Sequence, residues 1–314
     1  MPRPHPTEVK RIACIGAGSI GGAWAAHFLR KGYDVTAWDP AADGEERLRA
    51  TIDAAWPSLE VLGLSPGADR ARLSVTSTLE QALDGADFVQ ESAPESVPIK
   101  VDLLARIDAA TQPDVVISSS TSGYNMTDLQ VDCAHAERTV VGHPFHPVYM
   151  MPLVEVAPGE RTDPAVVDWC MQFYDQAGKA AVRCKEGVHG FIANRLQSAI
   201  IREAQHMIAA GEASAVDIDR SVSQGPGLRW ALMGPILTLH LAGGEGGIKS
   251  FFEKFPTEAK EPYSRLASPE ITDTLRQEMI DGAEELARGR SATELAAERD
   301  KLLLGVLKAV DGGL

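Results

Sequence analysis

Up to about residue 185, short runs of β-branched and apolar residues alternate with longer helical stretches; beyond it the pattern is helical almost to the end. The strand-like runs are "RIACIG" (11–16), "DVTAWD" (34–39), "RLSVTS" (72–77), "DFVQES" (87–92), "DVVISSS" (114–120), "TVVGHPF" (139–145), "LVEVAP" (153–158) and "AAVRCK" (180–185). Helical patterns fall at 20–31, 43–64, 96–110 and 163–177. Such alternation predicts parallel βαβ units, a sheet with helices on both faces. The later part opens with "IANRLQSAIIREAQHMIAA" (192–210), whose apolar residues recur three and four apart and define one broad buried face. Gly211, "QGPG" (224–227), "GGEGG" (243–247) and Pro256 divide the remainder into further helices. The expected architecture is α/β, a doubly wound domain over 1–187 followed by a smaller all-helical domain over 188–314. Helical domains of this kind often pair between subunits, so a homodimer is expected.

A chain of 314 residues can bury two such cores without staples. No apolar run approaches the roughly 20 residues needed to span a bilayer, which argues against a membrane role. The start, "MPRPHPTEVKR", lacks the apolar core of a signal peptide, and a cytoplasmic location is expected. Cys14, Cys133, Cys170 and Cys184 show neither CxxC nor zinc-ligand spacing, so they read as small buried hydrophobes and no metal site is expected. A formal charge of −14 argues against nucleic acid as a partner and leaves a small cationic molecule open.

The first strand runs directly into "GAGSIGGAW", which sets Gly16, Gly18 and Gly21 at the spacing GxGxxG, with Ser19 and Ile20 at the mouth of the following helix. The first glycine permits a tight turn, the second lets a pyrophosphate approach the backbone, and the third lets helix pack on strand; the diphosphate then meets the bare N–H groups of the helix start. Asp39 ends the second strand about 20 residues further on, where an acid accepts bonds from the ribose hydroxyls and repels a 2′-phosphate. This part therefore reads as a Rossmann-type domain that binds NAD rather than NADP.

Three polar positions close the ends of later strands: Ser122 in "SSSTSG" (118–123), His143 in "GHPFHP" and Glu155 in "PLVEV". A general base for an alcohol must titrate near neutral pH, as histidine does. A carboxylate on the other ring nitrogen fixes the tautomer and favours the protonated form that the reverse reaction needs. An acid inside an apolar strand is costly unless paired, and a catalytic histidine is a suitable partner for Glu155.

"GAGSIG", "FVQESAPE" (88–95), "SSSTSG", "GHPFHPVYMMPLVEV" (142–156) and "GFIANRLQ" (190–197) together resemble the 3-hydroxyacyl-CoA dehydrogenase family, in order and across essentially the whole chain. The resemblance implies that His143 is the base, that Glu155 orients it, and that Ser122 and Asn194 bind the substrate oxygen. Glu95 and Lys100 are expected beside the cofactor. "KEGVHGF" (185–191) is one residue longer than the usual turn before the helix carrying Asn194, and His146 stands where the family commonly has asparagine. Phe145 and His146 are expected to shape the substrate pocket.

"GPGLRWALMG" (225–234) departs from the acyl-CoA enzymes of the family, because Arg229 offers a planar fork for a carboxylate that a thioester lacks. Two branches with small free-acid substrates carry a comparable arginine, one oxidising a quaternary-ammonium hydroxy acid and the other a sugar acid. "GLRWALMG", "LTLHLAGGEGGIKSFFEKF" (237–255) and the tail from "LASPEITD" (266–273) resemble the first. Phe145, Tyr149, Trp230, Phe251 and Phe252 supply aromatic faces suited to a trimethylammonium group. A small hydroxy acid is the expected partner, with Arg229 and Trp230 among its contacts.

Overall fold

A computed structural model describes residues 3–254, 270 and 272–311. "LASPEITD" falls largely outside the described residues, as does the side chain of Phe252. The chain divides into two compact units, Met1–Asn194 and Arg195–Leu314. The boundary expected after residue 187 falls in the turns just before that division.

In the first unit the elements are β1 (Arg11–Ile15), α1 (Ser19–Arg30), β2 (Asp34–Trp38), α2 (Gly44–Leu62), β3 (Leu73–Val75), α3 (Leu79–Leu83), β4 (Phe88–Glu91), α4 (Val97–Ala110), β5 (Val116–Ser119) and α5 (Met126–Leu129). They continue with β6 (Thr139–Pro144), β7 (Leu153–Ala157), α6 (Pro164–Gln176) and β8 (Ala180–Arg183). The strands form one sheet in the order β3-β2-β1-β4-β5-β6-β7-β8. Side chains alternate across it, which is why adjacent residues join different cores. Ile12 and Cys14 face a layer with Trp24, Phe28 and Phe173, whereas Ala13 and Ile15 face one with Leu104, Ile107 and Ile117. The four cysteines are free and buried in these layers.

One pairing departs from the parallel expectation. β6 and β7 are antiparallel, with His143 opposite Glu155. The segment between them, 145–152, is too short for the crossover of a dozen or more residues that a parallel pair requires. β7 is also an inner strand, since β8 covers its other edge, so Glu155 is 1% exposed rather than on an edge facing water.

α7 (Ala193–Ala209) begins at the end of the first unit and runs into the second, which holds α8 (Ala215–Gln224), α9 (Pro226–Trp230), α10 (Pro235–Ala242), α11 (Gly247–Lys254), α12 (Asp273–Ala287) and α13 (Ala292–Asp311). The breaks at Gly211, 224–227 and 243–247 fall where the sequence marks them, and Pro256 lies outside the described residues; Gly211 has φ 69°, and Pro226 and the unmarked Pro235 open α9 and α10, where proline's missing N–H costs no hydrogen bond. Among the described residues no helix is long and apolar enough to cross a membrane.

Candidate active site

Neighbours β1 and β4 leave the sheet midline in opposite directions of strand order, and at this switch point a crevice opens beyond their carboxyl ends. Its walls form a cleft of about 900 Å³ lined by Gly16, Gly18, Ser19, Ile20, Asp39, Glu95, Lys100 and Ser122. Gly16 has φ 103°, and a Cβ there would meet the Ser92 carbonyl oxygen at 2.6 Å. Gly21 lies outside the cleft lining and packs on the turn, where a Cβ would sit 1.9 Å from the Gly16 oxygen. A Cβ on Gly18, by contrast, would touch nothing within 4 Å, and Gly18 caps α1 without any side-chain hydrogen bond. Bare N–H groups at a helix start beside open space form a cradle for an anionic diphosphate. The residues present therefore fit a dinucleotide.

Asp39 closes the far end. Its Oδ2 accepts from the Ala17 N–H at 2.7 Å, its Oδ1 accepts from the Ala41 N–H at 2.9 Å, and the Arg47 guanidinium lies 3.4 Å from Oδ1. Arg47, Trp38 and Arg106 line the same cleft, with the Arg106 guanidinium 5.9 Å from the centre of the Trp38 ring. Sequence reasoning missed all three, the two arginines because a lone arginine on a helix usually marks a solvated face.

Glu95 and Lys100 border the cleft while their charged ends serve the protein. Glu95 Oε1 accepts from the Thr121 hydroxyl at 2.7 Å and from the Ser122 and Gly123 N–H groups at 2.9 and 3.1 Å, which holds the turn that presents Ser122. Lys100 is buried and donates to Glu91 Oε1 at 2.9 Å and to the Ala93 carbonyl at 3.1 Å. Glu91 also accepts from the Ser119 hydroxyl. This buried pair fixes the ends of β4 and β5, and Glu91 carries the same signal as Glu155, an acid inside an apolar strand.

On the β6–β7 pair, His143 Nδ1 lies 2.9 Å from Glu155 Oε2. The other carboxylate oxygen, Oε1, accepts from the N–H groups of Ile192 and Ala193 at 2.8 and 2.9 Å. Burial acts to raise the Glu155 carboxyl; the His143 hydrogen bond and the two backbone N–H groups outweigh it and hold the carboxyl below its ordinary value. Glu155 is thus an anion, which accepts from Nδ1–H and leaves Nε2 as the ring nitrogen able to accept a proton. Cys184, beside Glu155 Oε1 at 4.0 Å, is pushed up to about 11 by burial and by that carboxylate.

The next residue along completes the set. Asn194 Nδ2 donates to the Ser122 carbonyl at 2.9 Å, so the consecutive residues 192–194 bind Glu155 through their backbone and the Ser122 turn through a side chain. Ser122, His143, Glu155 and Asn194 are brought into one hydrogen-bonded neighbourhood. Phe145 packs edge-on to the His143 ring at 5.4 Å, and His146 follows it on an exposed turn. Beneath that turn Lys179, which sequence reasoning did not single out, is buried; its Nζ donates to the carbonyls of Val148 and Met151 and lies 4.9 Å from the Trp24 ring centre, and burial pushes its amine well below the ordinary lysine value. Arg229 and Trp230 occupy α9 in the second unit, with Trp230 37% exposed.

Residues 11–187 match the family model described as 3-hydroxyacyl-CoA dehydrogenase, NAD binding domain, and residues 190–278 match the C-terminal domain of the same family. The chain is similar to proteins named L-carnitine dehydrogenase, at 57% identity to one from Streptomyces coelicolor over 97% of this chain and 96% of that one. It is 44% identical to one from Pseudomonas putida over 98% and 96%. Among solved structures it resembles a 5-formyl-3-hydroxy-2-methylpyridine 4-carboxylic acid 5-dehydrogenase, described as an NAD+-dependent dismutase, with a TM-score of 0.81 and 29% identity over 98% of this chain and 100% of that one.

Proposed function

The chain belongs to the 3-hydroxyacyl-CoA dehydrogenase family and is an NAD-dependent oxidoreductase acting on a CH–OH group; we propose that its substrate is L-carnitine, oxidised at the 3-hydroxyl to 3-dehydrocarnitine. The observation that carries this reading is the likeness, 44–57% identical across both units, to relatives that bear the carnitine name. Arg229 is a donor suited to the carnitine carboxylate, and Phe145, Tyr149 and Trp230 are aromatic faces suited to its trimethylammonium group.

NAD, when bound, supplies the acceptor for the carbon-bound hydrogen as hydride. His143 takes the hydroxyl proton at Nε2, and Glu155 balances the imidazolium that forms. The Ser122 hydroxyl and the second N–H of the Asn194 amide hold the substrate oxygen as negative charge grows on it, each worth about 2–4 kcal/mol in the transition state. Gly16, Gly18, Ser19 and Ile20 cradle the diphosphate and Asp39 takes the ribose. Lys100 supports the cleft wall from inside the protein through Glu91, while Glu95, exposed at the cofactor cleft, holds the Ser122 turn.

The working form is a homodimer assembled through the helical unit, and a cytoplasmic enzyme of a small metabolite is the setting that fits it. Leu228, Leu232, Ile236, Leu237 and Leu241 are exposed on α9, α10 and the turn between them, and a helix as apolar as α10 requires a partner surface.

Initial rates with NAD on equal concentrations of L-carnitine, L-gulonate and 3-hydroxybutyryl-CoA test the substrate. Fastest turnover of L-carnitine is expected; no carnitine turnover beside brisk oxidation of either rival rejects the reading.

A further inference from the structure

Phe191 holds the His143–Glu155 pair in working geometry, and we infer that it is a positioning residue of the reaction. Only two non-glycine residues among those described have positive φ, Phe191 at 50° and Arg288 at 52°. Arg288 ends a helix, where a left-handed residue is common. Phe191 ends no helix, and it is 1% exposed. A bulky side chain in this region is strained, and such strain persists where surrounding structure demands it.

Two contacts account for the demand. The Phe191 ring packs on the His143 imidazole with centroids 5.4 Å apart and planes tilted by 33°. Phe145 meets the same imidazole edge-on at 5.4 Å and 65°, so two aromatic rings contact the base. The backbone makes the second contact. Gly190 at φ 73° and Phe191 at φ 50° are both left-handed, and successive N–H groups after such a turn point into one concavity. Here the occupant is Glu155 Oε1, bound by Ile192 and Ala193. Glycine would make the turn at position 191 without strain, as it does at 190, but it would leave the imidazole unsupported. The aromatic side chain is therefore kept for its ring, at the expense of backbone comfort.

The inference takes His143 as the base and so rests on the proposed mechanism. Two variants separate ring from backbone: Phe191→Gly relaxes the turn and removes the ring, whereas Phe191→Leu keeps apolar bulk and the strain. Both should retain NADH affinity, measured by fluorescence titration below the melting temperature of either variant. Both should lose about 10²-fold in kcat with KM little changed, the size expected when a catalytic group loses its aim. Peptide mapping after diethyl pyrocarbonate treatment supplies a readout independent of substrate: His143 should react about 10-fold faster in Phe191→Gly than in the unaltered chain, because the ring shields a buried imidazole. If the unaltered chain oxidises a hydroxy acid other than L-carnitine, the substrate reading falls and kcat is compared on that acid; if it oxidises none, the modification rate decides alone. Near-normal kcat in Phe191→Gly, His143 reactivity that does not change, or a kcat loss that only follows lost NADH affinity overturns the inference.

Discussion

The two units handle their awkward groups in opposite ways. In the first, three buried charge pairs sit at or beside the sheet: Glu91 with Lys100, Asp108 with Arg138, His143 with Glu155. Its apolar residues fill continuous layers on both faces of the sheet. In the second, Ile208, Val216 and Leu275 are the buried hydrophobic residues among those described, while Ile236 is 67% exposed. A sheet packed on both faces holds His143 and Glu155 at hydrogen-bond distance, 2.9 Å. A unit that leaves apolar surface bare depends on something outside it. On the proposed reading, chemistry belongs to the first unit, and substrate choice and assembly to the second.

The sharpest way to separate them is at Glu155. Glu155→Gln keeps the shape and removes the charge opposite the imidazolium, and kcat should fall about 10²-fold with NADH affinity unchanged. An equal loss of NADH affinity would mean that Glu155 supports the whole cleft. Arg229→Ala should act on the other side of the division. We expect KM for L-carnitine to rise roughly 10- to 100-fold, the loss of a charge-assisted pair, with kcat little altered; unchanged KM would remove Arg229 from substrate binding.

Ile236→Glu tests what the helical unit depends on. Placing a charge in a face that assembly would bury should convert the dimer to monomer in sedimentation, at about 2–3 kcal/mol for each side chain lost from the interface. A monomeric unaltered chain would contradict the account of that surface. Lys179→Met is milder, leaving the Val148 and Met151 carbonyls without their donor and lowering stability by about 1–3 kcal/mol in denaturant melts. Smaller still is the acid response of Glu155. Because folding holds its carboxyl below the ordinary 4.5, that group's contribution is complete above the ordinary value and fades as pH falls through the lower folded value. Glu155→Gln should remove this part of the acid loss, and an unchanged acid profile would place the loss elsewhere.

Much of the first unit was legible because each signal there is local. The glycines of "GAGSIG" and the acid ending β2 state their roles within about 25 residues, and the strands read correctly from composition. Glu155 was legible by a cost argument, an acid among apolar neighbours. Glu91 escaped although the same argument applies, and with it the partner of Lys100. Lys179 and Phe191 escaped for another reason. A lysine before a strand resembles surface, and nothing in "HGFIANR" announces a left-handed phenylalanine; both roles arise from contacts across the fold. The antiparallel turn of β7 was readable from the short 145–152 connection, which has no room for a crossover helix. Arg229 remained a chemical argument, because nothing local to α9 says what its guanidinium meets.

The most direct test of the central claim is the rate of NADH formation from saturating L-carnitine by the unaltered chain and by His143→Asn. Steady turnover in the first and a fall of about 10²- to 10⁴-fold in the second, with NADH affinity preserved, is the predicted result. Turnover by His143→Asn within a few-fold of the unaltered chain would contradict the assignment of the base, whatever the substrate proves to be.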